Sequence, residues 1–363
     1  MKISPLLLCI LLVACSDGSI ENQEDISINE ETNSKKTTMT ESSKLLTIEN
    51  NPVVFYNVEN LFDTENDPNN DGDDEYTPDG EMEWTEERYQ TKLSKIVDVL
   101  RMPTGENPLL AGFCEIENRD VLEDLIQKDE LKSTKYKVSH FNSNDRRGID
   151  VGLIYDTERF ELIDEEKIII QLDDEPEFVT RDILHVTGKV NNGEILHVFV
   201  NHWPSRREGK QETEPRRVGI AEILRSKIDE ILKQNPDENV LVMGDFNDTP
   251  IDKSIREVMR GKGMHELKPG DLVNFMLSEF KNKEGSIVHD GEWELVDQFL
   301  VSQNLVKEQE LYVVKNNAHI LNRDELLFKF RNGDEKPSAT YGGTKYYGGY
   351  SDHLPIYLLL NTK

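Results

Sequence analysis

Residues 240–248 read Val240-Leu241-Val242-Met243-Gly244-Asp245-Phe246-Asn247-Asp248. A short β-rich apolar run passes directly into a glycine, two carboxylates and an amide, the pattern of a buried strand that ends in groups able to do chemistry. The same pattern recurs along the chain. Residues 53–56 lead to Asn57-Val58-Glu59-Asn60, residues 109–114 to Glu115-Ile116-Glu117-Asn118, and residues 195–200 to Asn201-His202-Trp203-Pro204-Ser205-Arg206. Tyr350-Ser351-Asp352-His353-Leu354-Pro355 precedes the last apolar segment, and 151–155 is a further β-rich run. Between them Tyr89, Leu93, Ile96, Val97 and Leu100 recur at helical spacing, as do Ala221, Leu224, Ile228, Ile231 and Leu232. Strands and helices mixed along one body, with no repeat and no second linker, predict a single α/β or α+β domain over 51–363. In such folds strand ends collect along one sheet edge, where sites are built.

The ends of the chain and its charge set limits. Lys2 precedes an apolar run, 6–14, that is too short to span a bilayer and has the length of a signal-peptide core. Leu12-Val13-Ala14-Cys15 resembles a bacterial lipobox, which implies cleavage before Cys15, a lipid on its sulfur, and an extracytoplasmic, membrane-anchored protein, at the outer membrane or cell surface. Residues 16–50, rich in Ser, Thr, Asn and Glu, are expected to form a flexible polar tether. After cleavage Cys15 and Cys114 remain, so no intrachain disulfide is expected, and Cys114 reads as a small core residue. The chain carries 42 Lys+Arg against 71 Asp+Glu, a net charge of −29 that argues against coating nucleic acid. Of the acidic residues, 12 fall between Asp63 and Glu87 with no basic residue among them. Within that segment Asp67 to Glu75 begins like a calcium loop, but its twelfth position is Pro78, so a structural Ca²⁺ there competes with a solvated insertion.

The residues at the strand ends form a chemical set. Carboxylates and amide oxygens suit a hard cation such as Mg²⁺, with Mn²⁺ as the alternative. A His-Glu-x-x-His zinc motif, a phosphate-binding Gly-x-x-x-x-Gly-Lys loop and a Gly-x-Ser-x-Gly nucleophile elbow are all absent from the sequence. What remains is metal-assisted hydrolysis of a phosphate ester.

Taken in order, Asn57-Val58-Glu59-Asn60, Glu115, the 201–206 motif, the 244–248 motif, Leu295-Val296-Asp297-Gln298-Phe299-Leu300-Val301-Ser302 and Ser351-Asp352-His353-Leu354-Pro355 resemble the endonuclease/exonuclease/phosphatase superfamily, of the deoxyribonuclease I type. The resemblance implies a four-layer sandwich, two mixed β-sheets packed face to face with helices outside. It also implies roles. Glu115 would be the main Mg²⁺ ligand, with Asn57 beside it and Asp352 contributing. Asp245 would orient or deprotonate the attacking water, and Asn247 would position that water or the phosphate. His202 and His353 would hydrogen-bond the scissile phosphate, one of them acting as general acid. Asp297 would hold His353 in its tautomer, and Asp150 would do so for His202.

Beyond these, Arg206 and Asn201 are expected at the substrate phosphate. Arg146, Arg147, Arg207, Lys210, Arg216 and Arg217 lie near the motifs either as phosphate contacts or as surface charge. Glu59 and Glu117 read as supporting or solvated carboxylates, and His140, His185, His197, His265 and His289 as structural or surface residues. The expected activity is that of a Mg²⁺-dependent phosphodiesterase or nuclease, a monomer that meets the membrane only through its lipid. The alternatives are a phosphatase or phosphodiesterase acting on small-molecule or lipid-head-group phosphates, and a catalytically silent surface binding lipoprotein.

Overall fold

The structure, a computed structural model, describes residues 49–68 and 70–363. The signal segment, Cys15 and most of the expected tether therefore lie outside the described residues, although Glu49 and Asn50 already belong to the first strand. In chain order the strands are β1 (Glu49–Leu61), β2 (Leu110–Ile116), β3 (Tyr136–His140), β4 (Asp150–Asp156), β5 (Phe160–Ile168), β6 (Ile183–Val190), β7 (Ile195–His202), β8 (Asn239–Asp245), β9 (Gly261–Lys262), β10 (Leu272–Asn274), β11 (Ile287–His289), β12 (Glu292–Glu294), β13 (Asp297–Val301), β14 (Leu311–Ile320), β15 (Leu327–Lys329), β16 (Glu335–Pro337), β17 (Tyr341–Gly342), β18 (Lys345–Tyr346) and β19 (Ile356–Thr362). The helices are α1 (Glu86–Arg101), α2 (Arg119–Ile126), α3 (Lys210–Gln234) and α4 (Leu277–Lys281).

Two mixed sheets carry the fold. One runs β14-β19-β1-β2-β4-β3 and the other β5-β6-β7-β8-β13-β10-β9. Each holds a parallel pair near its centre, β1 with β2 and β7 with β8, flanked by antiparallel strands. Strand side chains alternate between faces, and here the alternation sorts them into separate cores. Val53 and Phe55 of β1 pack between the sheets with Leu110, Leu153, Val198, Leu241 and Phe299, whereas Val54 and Tyr56 face α1 and α2 on the outside. On the other sheet Leu196, Val198 and Val200 face inward, while Phe199, Val240 and Val242 pack under Ala221, Leu224 and Ile228 of α3. The result is a helix, sheet, sheet, helix sandwich, as expected.

The helices form where the spacing predicts them. α1 buries Tyr89, Leu93, Ile96, Val97 and Leu100, and Thr85 caps it by accepting from Arg88 N. Cys114 is fully buried in the inter-sheet core. No helix among the described residues is long and apolar enough to cross a membrane.

One buried cluster on the outer side of the second sheet makes stability depend on pH. The His185 ring stacks 4.2 Å from Phe199, and its nitrogens lie 2.8 Å from Glu166 and 3.1 Å from His197. Burial lowers its pKa from 6.5 to about 4 against the pull of Glu166, with His197 and Lys227 adding to the fall. An unfolded chain takes up this proton near pH 6.5 and the folded chain only near 4, so stability is present above 6.5 and is lost as pH falls through that window. The loss should be on the order of 3 kcal/mol. Urea midpoints of His185→Gln should fall less than those of the parent chain between pH 6.5 and 4; equal slopes would refute the assignment.

Candidate active site

Strand parity delivers the central residues of the site. Asn57 follows Val53 and Phe55 on the inner face of β1, His202 follows Val198 and Val200 on β7, Asp245 follows Leu241 and Met243 on β8, and Asp297 precedes Phe299 and Val301 on β13. His202 and Asp297 are the register partners of Asp245 from its two sides. The close pairing of β7 and β8 needs Gly244, because a Cβ there would lie 2.6 Å from the Asn201 backbone oxygen. Asp352 and His353 enter from the turn before β19, tied down by Ser351, whose Oγ donates to Asn57 O at 2.7 Å and accepts from His353 N at 3.0 Å.

At the strand ends the alternation breaks. Glu59, Asn60, Glu115 and Asn247 all take left-handed backbone conformations, with φ of 52°, 55°, 61° and 51°. Asn57-Val58-Glu59-Asn60 thus belongs to an irregular end of β1, where its register against β2 shifts. Such non-glycine conformations cost about 1 kcal/mol or more each and gather at sites where a side chain must be re-aimed.

The resulting contacts form one network. Asn57 Nδ2 donates to Asp245 Oδ2 at 3.1 Å, and Asn247 N donates to Asp245 Oδ1 at 2.9 Å. His202 Nε2 lies 3.7 Å from Asp245 Oδ2 and 3.8 Å from Glu115 Oε1, and His353 Nε2 lies 3.8 Å from Asp245 Oδ2. His353 Nδ1 is 2.7 Å from Asp297 Oδ2. Both Glu115 oxygens accept from the Arg147 guanidinium, at 3.2 and 2.9 Å, and Asn60 N adds a further donor.

These contacts split the two histidines. Burial, with Arg181, Arg147 and His353 as positive neighbours, holds His202 well below its ordinary pKa. Burial alone would lower His353 too, but Asp297 and Asp245 overcome it and hold His353 well above the ordinary value. The two rings are therefore pushed apart, His202 toward its neutral form and His353 toward its cation. Burial and Asp297 raise Asp245 to about 6. Burial also works against Glu115, yet Arg147 keeps it below the usual carboxylate range.

A family model described as Endonuclease/Exonuclease/phosphatase family matches residues 52–362. The chain belongs to that family. Solved structures agree in fold. An endonuclease/exonuclease/phosphatase family protein from Bacteroides thetaiotaomicron is 15% identical, with a TM-score of 0.53, over 87% of this chain and 99% of its own. The mannosyl-6-phosphatase of the same organism is also 15% identical, at 0.52, over 85% and 99%. TDP2 from D. rerio, complexed with a single-strand DNA product, gives 15% and 0.52 over 86% and 99%. No curated protein matches the chain.

Within this family fold three expectations need correction, two of them for the same reason. Asp150 was expected on His202, but it shares a strand face with Gly152 and Ile154, away from the inter-sheet space. Its carboxylate accepts from Ser143 N at 3.0 Å and lies 3.3 Å from His140 Nε2, while His202 Nδ1 is buried without a partner among the described residues. Asn201 likewise points to the outer face with Phe199, where it donates to Met243 O and accepts from Trp203 Nε1. Neither side chain joins the network at the strand ends. Arg206, expected at the phosphate, is instead engaged by Glu294.

Other basic residues near the motifs are also committed. Arg217 forms a fully buried pair with Asp248 at 2.8 Å, and Arg216 pairs with Glu175 and Glu208. Glu59 accepts from Thr340 N and Tyr341 N, and its pKa is raised to about 7 by burial and by Asp352. Glu117 is pushed up to about 8 by burial, with Asp63 and Asp73 adding to the rise. His140 is buried, and His265 and His289 are exposed. Lys92 and Arg181 were not anticipated. Lys92, fully buried, donates to Thr340 Oγ1 and Tyr350 O, and Arg181 donates to Trp203 O beside the site. Lys92 had a signal: it falls on the apolar stripe of α1 between Tyr89 and Ile96. Arg181 had none.

The acidic 63–87 segment is anchored rather than merely solvated. Tyr76 stacks on Phe62 at 4.3 Å, Trp84 Nε1 donates to Phe62 O, and a Cβ on Gly72 would strike the Arg147 carbonyl at 2.3 Å. In the calcium-like stretch Asp73 accepts from Asp67 N, Asn70 from Gly72 N and Asp74 from Asn66 Nδ2. Among the described residues no three of its carboxylates converge.

A divalent ion is better matched at the strand ends. Two groups bring three ligand atoms within 4.8 Å of one another: Cys114 with His202 and Asp245, and Asp245 with Asp297 and His353. In the first, burial pushes the Cys114 thiol well up, so it keeps its proton; in the second, His353 is already held by Asp297. Glu115, Asn57 and Asp352 offer oxygens only, the donor set of Mg²⁺ or Mn²⁺. Asp352 is exposed as a residue, yet desolvation of its carboxyl among the neighbouring groups raises its pKa, with Glu115 and Asp245 adding and His353 and Lys92 opposing. Raised carboxyls at Glu59, Asp245 and Asp352 mark a place short of positive charge, which a divalent cation would supply.

The Arg217–Asp248 pair sits beneath this edge with no access to water. Arg217→Met would leave the Asp248 charge uncompensated and should destabilise the fold by about 3–5 kcal/mol in chemical denaturation. A loss below about 1 kcal/mol would show that the pair is dispensable.

Proposed function

We propose that the chain is a metal-dependent phosphoric ester hydrolase of the phosphodiesterase or nuclease type. The observation that carries this reading is the placement of His202 and His353 on either side of one buried carboxylate, with their Nε2 atoms 3.7 and 3.8 Å from Asp245 Oδ2. Pairs of titratable groups whose environments push them apart mark acid and base roles. Cationic His353 donates Nδ1–H to Asp297 and keeps Nε2–H for the leaving oxygen, which makes it the general acid. His202 is neutral, and its Nε2 faces Glu115 and Asp245, so the proton rests there and is offered to a phosphoryl oxygen. Asp245, oriented by Asn57 and Asn247, is placed to direct and deprotonate the attacking water. Asn247 spends one Nδ2 proton on Trp203 O and has the rest of its amide free for that water or the phosphate. A divalent ion bound by Glu115, Asn57 and Asp352 would polarise the phosphoryl oxygens and offset their developing charge.

The reading also places the enzyme outside the cytoplasm on a lipid at Cys15. Intact mass of detergent-extracted protein should then correspond to a chain that begins at Cys15 and carries acyl groups, and Cys15→Ala should leave the signal segment uncleaved. A mature N-terminus anywhere else would end this part of the proposal.

The catalytic claim is tested with the full chain on plasmid DNA, RNA, bis-p-nitrophenyl phosphate and p-nitrophenyl phosphate, with Mg²⁺ or Mn²⁺ and with EDTA. Turnover of a diester that EDTA abolishes is expected, and His353→Ala and Asp297→Asn should each lower kcat by about 10²–10⁴-fold. Turnover of the monoester alone would turn the assignment to a phosphatase. No turnover of any substrate would favour a binding role.

A further inference from the structure

Residues 321–350 are inserted between β14 and β19, immediately before Ser351 and His353. This insertion carries exposed aromatics that the catalytic reading leaves unused. Phe328, Phe330 and Tyr347 are 48%, 44% and 60% exposed. Together with Lys336, Ser338 and Ala339 they line a cavity of about 180 Å³. Phe328 and Phe330 meet edge to face at 5.0 Å, Lys336 Nζ lies 5.8 Å from the Phe330 ring centre, and Lys345 Nζ lies 4.9 Å from that of Tyr347. Lys329 nearby is spent on Asp324 and Glu335, but among the described residues neither Lys336 nor Lys345 has a carboxylate within 4 Å.

The cavity is joined to the site by backbone. Ser338 O accepts from Ser351 N at 3.1 Å, Ala339 O accepts from Gly349 N at 3.1 Å, and Thr340 N donates to Glu59 at 2.6 Å. β16, which leads into the cavity wall, packs against β11, and β11 bridges to His353 through Ile287.

From this juxtaposition we infer that the Phe328, Phe330 and Tyr347 cavity is a base-stacking subsite, and that the preferred substrate is a nucleotide or single-stranded nucleic acid phosphodiester. The inference rests on the hydrolase reading and gives it a substrate class. Every nucleobase has a π face to stack on aromatic side chains, and the adjoining phosphates match unpaired lysines. A neutral sugar would use the rings and leave both lysines idle. A bilayer would call for a broader apolar face than one cavity of about 180 Å³ lined in part by Lys336 and Ser338.

The test compares two substrates with the same leaving group, thymidine 5′-(p-nitrophenyl phosphate) and methyl p-nitrophenyl phosphate, on the full chain and on Phe330→Ala, Tyr347→Ala and Phe330→Trp. Loss of one stacked ring should reduce the ratio of kcat/KM for the two substrates by about 5- to 100-fold in the alanine variants, through KM, and Phe330→Trp should restore it. Equal loss on both substrates, or an unchanged ratio, overturns the subsite. Anisotropy of labelled oligothymidine in EDTA gives a second measurement, independent of turnover, in which the alanine variants should bind at least about tenfold more weakly. If the parent chain hydrolyses neither ester with any metal, the hydrolase reading fails, and the anisotropy still decides the cavity. Variants that lose binding to phosphatidylcholine vesicles while keeping the oligonucleotide would overturn the assignment in favour of a membrane contact.

Discussion

The apolar layer between the two sheets is the constraint on which the rest depends. Val53, Phe55, Leu110, Leu153, Val198, Leu241 and Phe299 fill it, and each sits there because strand side chains alternate. Once those residues face inward, every second position along the same strands must follow. Extending the inward rows of β1, β7, β8 and β13 to one edge of the sandwich yields Asn57, His202, Asp245 and Asp297. The candidate site is the apolar core continued in polar residues where the sheets run out. Its polar groups are enclosed by the same layer, which helps raise Asp245 to about 6, and the two histidines diverge because Asp297 and Asp245 overcome burial at His353 alone.

Continuation alone would not complete the site, because Glu115 directly follows an inward-facing residue, Cys114, and regular alternation would turn it outward. Its left-handed backbone interrupts the rule and leaves its carboxylate between Arg147, Asn60 N and His202. Four of the nine non-glycine residues with positive φ among those described lie at these strand ends. The strain is borne by hydrogen bonds that over-determine each residue, such as Asn57 Oδ1 accepting from Glu59 N and Asp245 Oδ1 from Asn247 N. Rigid strands set the direction of each side chain, and short irregular ends correct its last few ångströms.

This division explains what could be read from residues alone. α1 and α3 were legible because their apolar positions repeat over several turns, and β1, β2, β4, β7 and β8 because short β-rich runs end in polar residues. The family motifs supplied the order of the site residues. Asp150 and Asn201 were misassigned because a motif identifies a position near the site but not the sheet face, and a shift of one residue reverses the face. Partners distant in sequence were illegible for a different reason. Nothing near Arg147 announces a carboxylate at Glu115, and nothing near Lys92 announces Thr340 or Tyr350, since those pairs exist only after strands and insertions are assembled.

The same assembly reconciles an acidic protein with an anionic substrate. The net charge of −29 is spread over the chain, and 12 of its acidic residues fall in one anchored segment. Charges on the surface are screened over about 8 Å at physiological salt. At the strand ends the cationic groups are few but enclosed: Asp297 and Asp245 push His353 toward its charged form, Arg181 is buried against Asp145, and half-buried Arg147 lies across Glu115. In low dielectric each acts with more force than an exposed carboxylate at a distance. A phosphate group that reaches the edge therefore meets enclosed cationic groups set among carboxylates, and a divalent cation would supply the positive charge still wanting there. The surface acid slows approach and weakens footprint binding, and it leaves recognition to groups within reach of a single phosphoester and its neighbours.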